Sequence, residues 1–292
     1  MDAPPASEDC RPWLHVQQLF EAAGAHVPHV LAQDLARGFL LLSDLGNTTY
    51  LAALTAQPDS HSARRLYDDA IDALIRIQLA SKPGALPDYD RALLQRELML
   101  FPDWYVAKHL GATLSGAQRE VMNQAFERIL AVNLAEPQVF VHRDYHSRNL
   151  MVCGDAYPAN PGIIDFQDAV YGPITYDLVS LYRDAYINWE EAEELDFVIR
   201  YWEQARAAGL PVRPDFDDFY RDYEWVGAQR QIKVLGIFAR LCHRDGKAGY
   251  VIDMPRVLAY LRRTCERYLD LRPLARLLDQ LEQRPVDVGL TF

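Results

Sequence analysis

The sequence predicts an α+β fold in which a short, strand-containing start leads into a large and mainly helical body. Three observations predict it. Apolar residues recur at three- and four-residue steps over most of the chain after residue 60. Short apolar runs of strand character cluster before residue 46 and again between residues 138 and 166. With 292 residues, 50% hydrophobic and 24% charged, the composition is that of a folded chain with a buried core, not of a disordered tail or a coiled coil.

Residues 7–25 open with a Ser or Asp cap and carry Trp13, Leu14, Leu19 and Phe20 at helical spacing up to Gly24. Residues 27–32 and 38–42 read as two short strands joined by a turn near Ala36, Arg37 and Gly38. Ser43-Asp44-Leu45-Gly46 is a polar, Gly-ended exit suited to a hinge. Helices are expected over 62–80, 90–110 and 115–134, bounded or interrupted by Pro83, Pro87 and Pro102. The period then changes, and 138–141, 149–152 and 162–166 read as strands. Beyond Gly172-Pro173 the helices return at 176–187, 190–208, 216–243, 254–268 and 274–283. The expected organisation is a small unit over 1–46 and a large helical one over 47–292.

Charge and composition narrow the function classes. The net charge of −11, from 30 Lys+Arg against 41 Asp+Glu, argues against a nucleic-acid or anionic-membrane binder. A phosphorylated ligand stays open, because one local field can oppose the global one. No apolar run approaches the ~20 residues a membrane span needs. The start Met1-Asp2-Ala3-Pro4-Pro5 has neither the basic region nor the apolar stretch of a signal peptide. Cys10, Cys153, Cys242 and Cys265 are far apart and form no C-x-x-C, as expected of reduced thiols in a soluble, cytoplasmic protein.

The stretch from Val139 to Val152 carries the chemistry. An apolar strand delivers the polar run His142-Arg143-Asp144-Tyr145-His146-Ser147-Arg148-Asn149, and a second apolar strand carries the chain away. Asp165 ends a further apolar strand. If 149–152 and 162–165 pair as a hairpin, Asn149 and Asp165 meet at one end of it. One carboxylate and one amide oxygen suit Mg²⁺, which takes few protein ligands beside substrate phosphates. Asp144 is then left to accept a proton from an alcohol, the division of labour that phosphoryl transfer from ATP requires. His142 and His146 lie four apart but in a loop, so a zinc pair is not expected. Gly111 to Gly116 has the glycine spacing of a P-loop without its lysine, and the match is accidental.

At these residues the sequence resembles the kinase superfamily, whose catalytic loop reads H-R-D-x-x-x-x-N. It is more similar to the aminoglycoside phosphotransferase and choline kinase branch than to protein kinases. His146 stands two after Asp144, Gln167 follows Asp165-Phe166, and only a dozen residues separate Asp165 from Asp177. That interval is too short for a peptide-docking segment, so the expected partners are a small molecule and a nucleotide, with the oligomeric state open. Within the branch, the run from His142 to Met151 and that from Ile164 to Pro173 most resemble the bacterial cell-wall amino-sugar kinases.

The resemblance implies a protein-kinase-like, two-lobed fold and an ATP- and Mg²⁺-dependent kinase for the anomeric hydroxyl of N-acetylmuramate or N-acetylglucosamine in peptidoglycan recycling. It implies Asp144 as the catalytic base, Asn149 and Asp165 as the Mg²⁺ and nucleotide ligands, and His142, His146 and Asp177 as supports. Asp177 has a second reading, a helix N-terminal carboxylate favoured by the dipole. Arg143 and Arg148 are candidates for a substrate anion, though for each a solvent-facing ion pair is the favoured reading. Asp168 is open between a metal or sugar contact and a turn acid. The aromatic residues Tyr182, Tyr186, Trp189, Tyr201, Trp202 and Trp225, at helical spacing, are expected in the core.

One departure from the family pattern stands out. A Gly-rich hairpin over the phosphates and a strand lysine are expected ahead of the first helix, and neither is in this sequence. By analogy about fifty residues of the small lobe are missing, so residues 1–46 are its remnant with the hinge, and ATP binding is expected to be weak. Phosphorylation of an aminoglycoside or another small alcohol is the enzymatic alternative. A degenerate, kinase-like binding module is the other.

Overall fold

The computed structural model describes residues 1–4, 9–56, 60–153 and 160–282, and the α+β expectation holds among them. Their packing divides into two units, one of residues 1–89 and 137–220 and one of residues 90–136 and 221 onward.

The first unit opens with α1 (Cys10–Ala22), whose N-cap is Asp9; its side chain accepts the Arg11 N–H. The alternative cap, Ser7, lies outside the described residues. Trp13, Val16 and Phe20 form the buried stripe of α1. Strands β1 (Val30–Asp34) and β2 (Phe39–Leu42) pair antiparallel, with Leu40 turned inward. β1 starts three residues later than the apolar run implies, because Pro28 has no N–H to give to a ladder. The start of the chain lies along β2, where the Leu40 N–H donates to the Met1 carbonyl and the Ala3 N–H to the Gly38 carbonyl. Helices α2 (Tyr50–Ala56) and α3 (Ser60–Leu79) follow; the first was not evident in the sequence, being only seven residues long.

Two small sheets form the centre of this unit. β3 (Gln138–Val141) pairs with β6 (Val170–Pro173), and β4 (Leu150–Met151) pairs with β5 (Gly162–Ile163), both antiparallel. The chain passes from β3 to β4 through residues 142–149 and from β5 to β6 through residues 164–169. Gly162 has to be glycine, since a Cβ there would lie 2.9 Å from Cys153 Sγ and 3.1 Å from Leu45 Cδ1. β6 escaped the sequence reading because its last residues, Gly172-Pro173, look like a turn; Pro173 stands at the end of an edge strand, where no donor is needed.

Helices α6 (Tyr176–Tyr182) and α7 (Glu191–Ala207) complete the unit. α6 ends earlier than its apolar spacing implies, and the Arg183 guanidinium donates to Glu194 Oε1 at 2.6 Å in the first turn of α7. Both side chains are almost fully enclosed, at 0% and 1% exposure.

In the second unit, α4 (Arg91–Leu98) is followed by a π-helix at Phe101–His109. One helix over 90–110 was expected; Pro102 cannot donate to the i−4 carbonyl, and the chain resumes with wider turns. α5 (Gly116–Ala135) begins at a capping box of Ser115 and Gln118. The long helix α8 (Phe216–His243) has the expected limits, and its part from Arg221 belongs to this unit with α9 (Met254–Arg267) and α10 (Arg272–Leu281). Gly236 faces the Leu100 backbone, where a Cβ would approach the carbonyl carbon to 2.5 Å. Lys233 and Gln229 of α8 reach the buried Glu97 carboxylate. The four cysteines are free thiols, and no described helix is long and apolar enough to cross a membrane.

The Arg183–Glu194 pair yields a stability prediction. Glu194→Ala strands a buried guanidinium and lowers unfolding stability by about 3–5 kcal/mol, measured by urea denaturation. A loss under about 1 kcal/mol would mean that the pair is dispensable.

Candidate active site

The two connections between the small sheets carry the polar residues singled out from the sequence. β4 and β5 form the expected hairpin, and the Ile164 N–H donates to the Asn149 carbonyl at 3.1 Å just beyond it. Asn149 and Asp165 are thereby brought together: Asn149 Nδ2 donates to Asp165 Oδ2 at 3.3 Å and to the Asp144 carbonyl at 3.0 Å. The Asn149 and Asp165 side chains, from two connections, thus meet beside the backbone of Asp144.

Asp144 is held by its backbone. Its N–H donates to His142 Nδ1 at 3.3 Å, and its carbonyl accepts the His146 N–H at 3.0 Å as well as the Asn149 amide. Two buried carboxylates hold the connection from below. Asp177 accepts the His142 N–H at 2.6 Å and the Arg143 N–H at 3.0 Å. Asp184 accepts the Ser147 N–H at 2.9 Å and the Tyr186 N–H at 2.9 Å. Both carboxylates are fully enclosed. Of the two readings of Asp177, the geometry is that of a loop brace. Between these braces Tyr145 turns into the core and donates its hydroxyl to the Ala70 carbonyl of α3.

The backbone is strained where it matters. Arg143 has φ 75° and Asp165 φ 65°, left-handed values that side chains rarely adopt and that cost on the order of 1–3 kcal/mol each. Asp177 fixes the Arg143 peptide. Asp165 is exposed, with Oδ1 accepting from Gln167 Nε2 at 2.9 Å. The neighbouring Phe166 is fully buried against Trp13 and Phe20 of α1, at ring distances of 5.1 and 5.8 Å. Strain at Asp165 is thus offset by an aromatic anchor one residue away.

The residues that Mg²⁺ requires are present. Asp165 offers a carboxylate and Asn149 an amide oxygen, both hard donors, in hydrogen-bond contact with each other. A 740 Å³ cavity next to them is lined by Asn149, Ile164, Asp165 and Asp168 together with Cys10 and Trp13 of α1. That volume is in the range of small-ligand and cofactor sites. Asp168 is exposed on this cavity, and its carbonyl accepts from Arg143 Nη1 at 3.2 Å. His146 packs edge-on against Tyr186, with ring centroids 5.5 Å apart. Tyr182, Tyr201 and Trp225 are buried as expected of the aromatic set, whereas Tyr186, Trp189 and Trp202 are only half-buried. Asp184 was missed, since an acid inside the expected helix over 176–187 reads as one more polar position and only its long-range partner Ser147 reveals it.

His142 is buried and neutral. The Ile164 carbonyl can only accept, so Nε2 carries the proton at 3.0 Å, and Nδ1 receives the Asp144 N–H. Burial pushes its pKa down to about 4 from an ordinary 6.5, with the His146 ring adding to the effect and Asp144 and Asp165 opposing it. Because the unfolded chain binds the proton more readily, the contribution is complete above pH 6.5 and is lost as pH falls through 4. It amounts to about 3 kcal/mol. His142→Gln is therefore expected to flatten the pH dependence of unfolding stability between pH 6.5 and 4, read from denaturation midpoints at several pH values. An unchanged slope would remove His142 as its source.

The model of the phosphotransferase enzyme family matches residues 1–214. The N-acetylmuramate/N-acetylglucosamine kinase of Neisseria meningitidis serogroup B is 51% identical, across 100% of this chain and 86% of that protein. The N-acetylmuramate/N-acetylglucosamine kinase of Pseudomonas aeruginosa is 49% identical, across 97% of this chain and 81% of that protein. Among solved structures, an ADP-bound aminoglycoside phosphotransferase superposes with a TM-score of 0.55 at 14% identity, over 86% of this chain and 81% of the other, a likeness of fold. By sequence and by fold, the chain belongs to the phosphotransferase enzyme family.

Proposed function

We propose that this protein transfers the γ-phosphoryl group of ATP to the anomeric hydroxyl of a cell-wall amino sugar, N-acetylmuramate or N-acetylglucosamine, in peptidoglycan recycling. The observation that carries the proposal is the convergence of Asp144, Asn149 and Asp165 from two connections in a chain about half identical to kinases named for those sugars. Asp144 orients the sugar hydroxyl toward the γ-phosphorus and takes its proton as the new P–O bond forms and ADP leaves. Asn149 Oδ1 and the Asp165 carboxylate would hold Mg²⁺, which would supply charge neutralisation for the nucleotide phosphates. His142, Asp177 and Asp184 act through the backbone of the loop, and His146 and Asp168 flank it. An ATP-consuming reaction and four free thiols fit a cytoplasmic site.

The proposal treats residues 1–46 as part of a kinase small lobe with its hinge, ahead of a catalytic large lobe. Leu31, Phe39 and Leu41 support this: they are 59%, 46% and 60% exposed on the β1–β2 pair, an apolar surface suited to further strands of such a lobe.

The test is ³¹P NMR of each sugar incubated with ATP, Mg²⁺ and the purified protein. A phosphate on the anomeric carbon also abolishes the reducing end, which phosphate on any other hydroxyl leaves intact. Asp144→Asn should lower kcat by on the order of 10²- to 10⁴-fold while nucleotide binding, measured by calorimetry, persists. Product phosphorylated away from the anomeric carbon, or turnover of aminoglycosides alone, would overturn the assignment.

A further inference from the structure

The two arginines of the loop are alike in sequence and different in the structure. Arg143 is half-buried; its guanidinium donates to the Asp168 carbonyl at 3.2 Å and lies 5.5 Å over the Tyr89 ring. Arg148 is exposed, and its guanidinium lies 4.6 Å over the Tyr186 ring. A guanidinium resting on an aromatic face has its orientation limited by the cation–π contact, while its N–H fork still points outward in its own plane.

That shelf is built on the catalytic loop itself. Asp184 accepts from Ser147 N–H, next to Arg148, and from Tyr186 N–H. One buried carboxylate therefore ties the backbone carrying the arginine to the backbone carrying the ring. The edge of His146, two residues before Arg148, fixes the ring from the loop side. Within the loop, the His146 N–H to Asp144 carbonyl and Asn149 N–H to His146 carbonyl bonds close successive turns between Asp144 and Arg148. The backbone that carries Arg148 is thus tied to the backbone of Asp144.

We infer that Arg148, seated on Tyr186, reads a carboxylate on the acceptor sugar and so sets the preference between the two amino sugars. The inference rests on the sugar-kinase reading above. N-acetylmuramate carries a lactyl ether on C3 that ends in a carboxylate; N-acetylglucosamine has a hydroxyl there. The lactyl group hangs from C3, two ring carbons from the anomeric carbon, so one short loop can address its carboxylate and the anomeric oxygen with different side chains. A bidentate pair with a guanidinium matches a carboxylate in charge and geometry, which a lysine does not. In a chain of net charge −11, a cation beside the base also offsets the general field that repels an anionic sugar. Tyr186 and Asp184 are positioning residues in this scheme.

The experiment compares kcat/KM for N-acetylmuramate and N-acetylglucosamine in wild type, Arg148→Met, Arg148→Lys and Tyr186→Leu. The ratio of the two values is internal to each preparation, so partial misfolding cancels. Arg148→Met is expected to lower the ratio on the order of 10- to 100-fold, the loss of a charge-assisted pair. Arg148→Lys should recover part of the loss, and Tyr186→Leu should shift the ratio in the same direction. If wild type turns over both sugars and the ratio is unchanged in Arg148→Met, the inference fails while the kinase reading stands. If wild type phosphorylates neither sugar, the kinase reading fails and the inference with it.

Discussion

The carboxylate of Asp177 holds the catalytic loop in place, and the surrounding structure makes sense in relation to it. The backbone of residues 142–149 runs through the interior with no ladder partner, and buried N–H groups need an acceptor. Asp177 supplies one for each of two consecutive residues, His142 and Arg143. The two contacts coincide with a left-handed backbone at Arg143, whose N–H meets the same carboxylate as that of His142. Asp184, seven residues on, does the same for Ser147 near the other end of the loop. α6 thus carries one brace in its first turn and another just past its end, so the helix and the turn after it act as one support beneath the loop.

Phe166 performs a similar function for the second connection. It is buried against α1 and His142, the rings of Phe166 and His142 being 6.5 Å apart, so α1, the catalytic loop and the Asp165 connection share one aromatic contact. The neutral His142 then closes the set by donating to the Ile164 carbonyl, one residue before Asp165. A proton on its Nδ1 would face the Asp144 N–H and break that link, which is why burial and a depressed pKa are part of the arrangement.

Much of the site was legible in the sequence because its chemistry demands particular residue types at short, fixed separations. His142, Asp144 and Asn149 lie within eight residues, and the hairpin that adds Asp165 follows from two apolar runs. The long helix α8 was legible for a similar local reason, its periodicity being unbroken over Phe216–His243. What was illegible depends on distant partners. Asp184 looks like a solvated acid until Ser147, thirty-seven positions away, is placed above it. Arg143 and Arg148 are equivalent by type, and only Tyr89 and Tyr186 distinguish them. The π-helix depends on how Phe101 and its neighbours pack after Pro102, and Pro102 by itself implies no more than an interruption.

Rigid support of this kind is costly in folding, and its distribution says what the protein gains. Two left-handed residues, two enclosed carboxylates and a buried imidazole all lie on or directly beneath two short connections. Such features destabilise a fold unless they are fully satisfied, and here each acceptor is matched to backbone donors. Phosphoryl transfer asks little covalent chemistry of a protein. What it requires is that the attacking oxygen, the phosphorus and the leaving oxygen be brought into line, with charge stabilised by groups that need not move. A backbone anchored at His142, Arg143, Asp144 and Ser147 meets that demand before any substrate binds. Asp165 and Arg148 are exposed above a main chain that is already anchored, so side chains can differ at the surface without disturbing the loop beneath.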